Sequence, residues 1–348
     1  MILHSFPEVA RRVQPVCIIA LLFLALQCAS KEIRNQYDSC AKISVGPGTE
    51  DFALNPATGL LYVSSHDRRV WKNPGEIFAV NTKSREVQKL ARTGEPADLF
   101  FAPHGVDLLT RAGTTFLYVV NHGREQNDAN QTILVYRLQA NSLQFIAGIR
   151  HTLINSPNDL AVDSEGNFYV ANDHGSRGSL WEMFWGLKRS KLVYCRFNPV
   201  NPGQETLCTV AVESIGMANA PFIRGDKVYL TATREDKVYE FTRAADGSLS
   251  GKRLVVSVDG PDNLSWSADH LITASHTSNW KFFRHVSSAS NLSPSLIVTI
   301  DVAQGKADPL YFNDGSEISA ASGALVHNGR LYIAQVFEDF ILECRPVQ

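Results

Sequence analysis

Several things are scarce in this sequence, and each scarcity excludes something. Charged side chains make up only 20% of the 348 residues, 33 basic against 35 acidic, for a formal charge of −2. No run of lysine and arginine breaks that balance. A nucleic-acid partner held by phosphate neutralisation is therefore excluded from the expected partners. The apolar run Val16 to Leu26 is eleven residues long, whereas a helix needs roughly 20 to cross a bilayer core. No G-x-S-x-G elbow, HExxH, CxxC, P-loop or dinucleotide fingerprint occurs. That removes the usual signatures of serine hydrolases, zinc hydrolases, thiol redox proteins and nucleotide enzymes. Glycine (23), proline (15) and a hydrophobic fraction of 44% are ordinary. They suit a folded soluble domain rather than a disordered or collagen-like chain.

The short apolar run follows Arg11 and Arg12 and precedes the small residues Cys28, Ala29 and Ser30. This is the pattern of a secretory signal cleaved after Ser30, with an uncleaved anchor as the alternative. Residues 1–30 are thus expected to be a signal peptide or hydrophobic anchor, and residues 31–348 the folded domain. The protein is expected to be secreted, periplasmic or membrane-anchored, facing outside the cytoplasm. Beyond that segment four of the six cysteines remain: Cys40, Cys195, Cys208 and Cys344. An even number in an exported chain suggests two disulfides, free buried thiols being the other reading. Cys195 and Cys208 flank a turn rich in Asn, Pro and Gly and would staple a hairpin. Cys40 and Cys344 stand at the two ends of the domain, where a bond would close the chain into a ring.

After residue 45 short β-branched and aromatic runs alternate with Gly, Asn and Asp turns, the texture of an all-β chain. One unit recurs six times. A polar residue leads, a small or polar residue and usually a hydrophobe follow, then a turn, then a hydrophobic strand that often contains Tyr. The leading residues are Glu50, His104, Asn158, Asn219, Asp262 and Ser322, spaced 43 to 61 residues apart. Four short strands and their loops fit that period. Six such units closed radially make a six-bladed β-propeller, whose innermost strands surround a central channel. Equivalent positions converge there, so these six residues are expected to form one ring.

Glu50, Asn158, Asn219 and Asp262, with Asn263 beside it, offer only oxygen. Hard oxygen donors, two of them carboxylates, suit Ca²⁺ better than Zn²⁺. Asp51, Asp159 and the backbone carbonyl of Val106 form a second set one position deeper, suited to a second, more buried calcium. A polar channel filled by water is the metal-free alternative.

At these residues the chain resembles the serum paraoxonases, calcium-dependent lactonases and arylesterases with a six-bladed propeller. The resemblance runs through Gly48-Thr49-Glu50-Asp51, Pro103-His104-Gly105-Val106, Tyr118-Val119-Val120-Asn121-His122, Asn158-Asp159, Asn172-Asp173-His174, Trp181-Glu182-Met183, Ala218-Asn219 and Asp262-Asn263-Leu264-Ser265. It spans the domain from about Cys40 to Cys344. It implies that Glu50, Asn158, Asn219, Asp262 and Asn263 hold a catalytic calcium, and that Asp51, Val106 and Asp159 hold a structural one. It implies a Cys40–Cys344 disulfide; the Cys195/Cys208 pair is additional to the family pattern. It further implies a catalytic dyad in which His104 takes a proton from water and His122 orients or relays. His174 and Met217 are candidate pocket residues, and Met217 departs from the aromatic the family commonly has there.

The expected activity is hydrolysis of small-molecule carboxylic esters and lactones. Residues 180–187 (LWEMFWGL) stand apart from the strand pattern. They read as a short helix serving as a lid, a substrate wall or, with the N-terminal segment, a lipid-facing surface. The competing readings are a strictosidine-synthase-like propeller, which needs no calcium, and a non-catalytic binding propeller.

Overall fold

A computed structural model describes residues 33–124, 131–176 and 179–348. The proposed signal or anchor at residues 1–30 lies outside them. Among the described residues no helix is long and apolar enough to cross a membrane.

The strands form six sheets, each the blade of a propeller. Their innermost strands are Phe52–Asn55, Pro103–Arg111, Pro157–Val162, Ala218–Arg224, Pro261–Ser267 and Ala321–His327. Blade 2 gains a fifth strand, Ala91–Thr93, running parallel to Ser142–Ile149. Blade 6 is completed from the other end of the chain: Tyr37–Ser44 pairs antiparallel with Phe340–Pro346. The Cys40–Cys344 disulfide lies across that pair, with its Cα atoms 4.0 Å apart. Ring closure is therefore both hydrogen-bonded and covalent. Cys195 and Cys208 also pair, directly opposite each other on adjacent strands of blade 3.

Side chains alternate between the two faces of a strand, and in a propeller both faces are covered by neighbouring blades. Strands therefore read as continuous apolar runs, such as Leu117-Tyr118-Val119-Val120, all 0% exposed. One apolar cluster fills each gap between neighbouring blades. Tyr118, Phe168 and Val193, for example, meet between blades 2 and 3.

Two α-helices stand out among the described residues. Helix α1 (Leu180–Trp185) falls where the sequence pattern places it, capped by the Ser179 side chain and ended by Gly186 at φ 58°. Its Glu182 is buried and accepts the backbone N–H groups of Gly175 (2.7 Å) and Ser176 (3.2 Å), which pins the preceding loop. Trp181 and Trp185 are exposed. Helix α2 (Asn279–Ser287), capped by Ser278, has no counterpart in the sequence reading.

Candidate functional site

The six leading residues meet because of one repeated device. In blades 2 to 6 the inner strand carries a break in register at the leading residue: between Pro103 and Val106, Pro157 and Leu160, Ala218 and Pro221, Pro261 and Leu264, Ala321 and Gly323. A bulge frees side chains from strict alternation and re-aims them. Consecutive residues such as Asn158 and Asp159 can then both serve the channel. The break also absorbs Pro221, whose missing donor leaves no gap in a regular ladder.

A second repeat fixes the rim. The residue after each blade's second strand donates its backbone N–H to the carbonyl two positions before the ring residue. These bonds run from His66, His122, Asp173, Thr233, His276 and Val336 to Gly48, Ala102, Ser156, Met217, Gly260 and Ala320. The sixfold register read from the sequence is thus drawn in hydrogen bonds.

Glu50, His104, Asn158, Asn219 and Asp262 line one cavity. Asp51, Val106 and Asp159 line another, so the two expected donor sets separate as two layers. Ser322 lies in the ring and donates its hydroxyl to the Glu50 carbonyl. Asn263 Nδ2 donates to Glu50 Oε1 at 3.1 Å, and Asp262 Oδ2 is bonded to His276 Nε2 at 2.8 Å. Four oxygens of the first layer are buried with no hydrogen-bond partner: Glu50 Oε2, Asn158 Oδ1, Asn219 Oδ1 and Asn263 Oδ1. Leaving even one such atom unpaired costs about 1–3 kcal/mol. Three of them belong to residues that line the cavity, and the fourth, on Asn263, belongs to a side chain bonded to Glu50; such a set fits a cation whose ligands are oxygen. Among the described residues no three His, Cys, Asp or Glu side chains group as a metal site. Three of these four oxygens are on amides, which belong to oxygen-donor chemistry all the same.

The electrostatics agree. Burial, then the Glu50 charge, pushes the Asp51 carboxyl well above its usual range, and burial with Asp51 does the same to Asp159. Burial also raises Asp262, partly offset by His276. Burial would raise Glu50 too, but His104 and Arg68 hold it low. Acids crowded and buried like this lack positive charge, which a divalent cation in each layer would supply. Val106 presents its N–H to Asp51 Oδ2 at 2.7 Å.

His104 links the ring to the expected dyad. Its Nδ1 is 2.7 Å from His122 Nε2, and His122 Nδ1 is 2.6 Å from Gln131 Oε1. An amide oxygen accepts, so His122 Nδ1 carries a proton and its Nε2 receives one from His104 Nδ1. The Nε2 of His104 faces Glu50 Oε2 at 3.3 Å, a pair that a shared proton or a cation between them would stabilise.

The remaining candidates are placed as follows. His174 is not among the residues lining the cavity; it is buried, with its Nδ1 2.8 Å from Asp173 Oδ1. Met217 does line it. Nor does any described side chain of α1 reach the cavity; the helical wall is α2, through Asn279, Phe282 and Phe283. The sequence reading also missed Arg68, Thr233, Arg234 and His276, all of which line the cavity. Thr233 and His276 occupy the repeated position after the second strand, a signal the sequence carried. Arg68 lies against the ring, with Nη2 3.9 Å from Glu50 Oε2 and Nη1 donating to the Gly48 carbonyl at 3.0 Å.

Fold and site together define a six-bladed propeller with a two-layered, oxygen-rich axial site flanked by a histidine pair. The chain belongs to the arylesterase family, which it matches over residues 13–344. It is 28% identical over 315 residues to mouse serum paraoxonase/arylesterase 1, covering 83% of this chain and 84% of that one. It is 24% identical over 339 residues to human serum paraoxonase/lactonase 3, covering 92% and 94%. Among solved structures, a gluconolactonase from Xanthomonas campestris shares the fold at a TM-score of 0.57 and 14% identity, covering 88% of this chain and 89% of that one.

Proposed function

We propose that this protein is a calcium-dependent hydrolase of carboxylic esters and lactones. The observation that carries the reading is the set of four unpartnered buried oxygens on Glu50, Asn158, Asn219 and Asn263. These residues and Asp262 would hold one calcium; Asp51, Asp159 and the Val106 carbonyl would hold a second that ties blades together. Calcium in the first layer would supply Lewis-acid polarisation of the scissile carbonyl and charge opposite the developing oxyanion.

The chain's own residues do the rest. His104 Nε2 takes the proton of the attacking water and holds it on the ring side of the imidazole. His122, oriented through Gln131, accepts the His104 Nδ1–H and fixes the tautomer that leaves Nε2 free. Phe282, Phe283, Met217 and Val336 give the cavity an apolar wall for the acyl or leaving group. The family assignment and the activities in its relatives' names support the reaction class. Two disulfides fit a chain that works outside the reducing cytoplasm.

The test is hydrolysis of phenyl acetate and of γ- and δ-lactones, with and without chelator. Activity that disappears with EDTA and returns with calcium supports the proposal. Turnover indifferent to chelation, or absent with both substrate classes at millimolar calcium, overturns it. A non-catalytic binding propeller gives the last result.

A further inference from the structure

The cavity wall contains two guanidinium groups, and they are not equivalent. Arg68 is nearly buried and committed. Its Nη1 donates to the Gly48 and His66 carbonyls at 3.0 and 3.2 Å, its Nη2 approaches the Pro103 carbonyl, and the ring carboxylate of Glu50 lies beside it. Arg234 comes from blade 4, on a 3-10 turn, Thr233–Glu235. It lines the cavity, yet its Nε is buried without a hydrogen-bond partner.

Its acidic neighbours in sequence are engaged elsewhere. Glu235 accepts from Lys188 Nζ at 2.6 Å, Tyr239 Oη at 2.8 Å and the Gly216 N–H at 2.8 Å. Asp236 accepts the Gly260 N–H at 2.8 Å. Among the described residues no carboxylate pairs with Arg234. The acids that do line the cavity, Glu50 and Asp262, are those proposed to hold calcium, and a divalent cation there would cancel their charge. Two arginines would then remain as the uncompensated charge of the wall.

We infer that Arg234 is the anchor of an anion subsite, and that the enzyme prefers esters and lactones carrying a carboxylate beside the scissile group. The inference rests on the hydrolase reading above. A guanidinium matches a carboxylate fork-to-fork and is the side chain suited to a partly dehydrated ion pair. The apolar residues of α2 would take the uncharged part of the substrate. Arg68 adds a fixed positive potential from the opposite side of the ring.

The test uses the full chain with calcium and two lactones that differ in charge and little in size: γ-butyrolactone-γ-carboxylate and its carboxamide. The expected kcat/KM ratio, carboxylate over carboxamide, is about tenfold or more, the value of one charge-assisted hydrogen bond. In Arg234→Gln the ratio should fall towards one; Arg234→Met serves if that variant does not fold. Arg234→Lys should retain part of the preference. A wild-type ratio near or below one, or a ratio unchanged in the uncharged variants, overturns the subsite while leaving the hydrolase intact. Hydrolysis of neither lactone points instead to failure of the hydrolase reading. Calorimetry then decides the subsite by itself. Glutarate should bind the wild-type protein at least tenfold more tightly than glutaramide, and Arg234→Gln should abolish the difference. Equal binding of the two overturns the subsite.

Discussion

Gly105 follows the proposed base and packs its backbone of blade 2 tightly against Asn158 and Asp159 of blade 3. A Cβ added there would lie 2.3 Å from Asp159 Oδ1, 2.6 Å from Asp159 Cα and 2.8 Å from the Asn158 carbonyl oxygen. Two of those three atoms are backbone, so no side-chain rotation relieves the contact. Blades 2 and 3 must separate by roughly 1 Å to restore van der Waals distance. Overpacking of this kind costs about 1–3 kcal/mol. A domain of this size loses about 1.5 °C per kcal/mol, so calorimetry should show Gly105→Ala melting about 2–5 °C lower. The same displacement acts on Asn158 and Asp159, one from each donor layer, so calcium affinity should fall at least tenfold. Gly148→Ala is the control. Its Cβ would meet neighbours at 3.5–3.6 Å, an ordinary contact, and should be neutral or raise stability by about 0.4–1 kcal/mol through the unfolded chain. If Gly105→Ala melted and bound calcium like wild type, the tight approach of the two blades would play no part in forming the site.

Three further perturbations read other parts of the structure. His122→Gln keeps the metal ligands but loses the partner of His104, so kcat should drop about tenfold to a hundredfold with calcium binding unchanged; an unaltered kcat would remove His122 from the mechanism. Breaking the Cys40–Cys344 bond, which spans 304 residues, should cost at most about 6 kcal/mol in the loop-entropy model, and an unchanged melting point in Cys40→Ser would show that strand pairing alone closes the ring. Desolvation of its carboxyl pushes Asp107 up to about 6, against about 4 when unfolded. Its contribution to stability is therefore complete below about pH 4 and is lost as pH rises through 6, a difference of about 3 kcal/mol. In chelated protein Asp107→Asn should flatten the stability curve across that window, and an identical slope would assign the pH dependence to other groups.

How much of this was legible in the sequence depends on whether a feature repeats. The ring residues were readable because each blade spends them at the same point, next to a strand of recognisable composition. The Cys40–Cys344 bond was implied by the resemblance, whereas the sequence left the Cys195–Cys208 bond open between a hairpin staple and free thiols. Helix α2 was not readable. Its nine residues, NWKFFRHVS, do place Phe282, Phe283 and Val286 on one face, but two and a half turns are too short for the period to stand out against the strand pattern, and the helix holds its place by laying Phe282 against His276 and Phe337. Arg68 and Arg234 were invisible for another reason. Each lies in a connection just after a second strand, where loop geometry rather than strand alternation decides what faces the channel. His174, in a segment that matches the family, sets its Nδ1 2.8 Å from Asp173 Oδ1, a contact that strand alternation does not foretell.

The central claim is that oxygen donors from across the chain grip calcium on the propeller axis. Its most direct test is metal content and calcium affinity measured on purified wild-type protein, Glu50→Gln and Asn158→Ala. Two calcium ions per wild-type chain are expected, with one lost or bound at least tenfold more weakly in each variant. Wild-type protein that takes up no calcium at millimolar concentration, or variants that bind it as wild type does, would contradict the account.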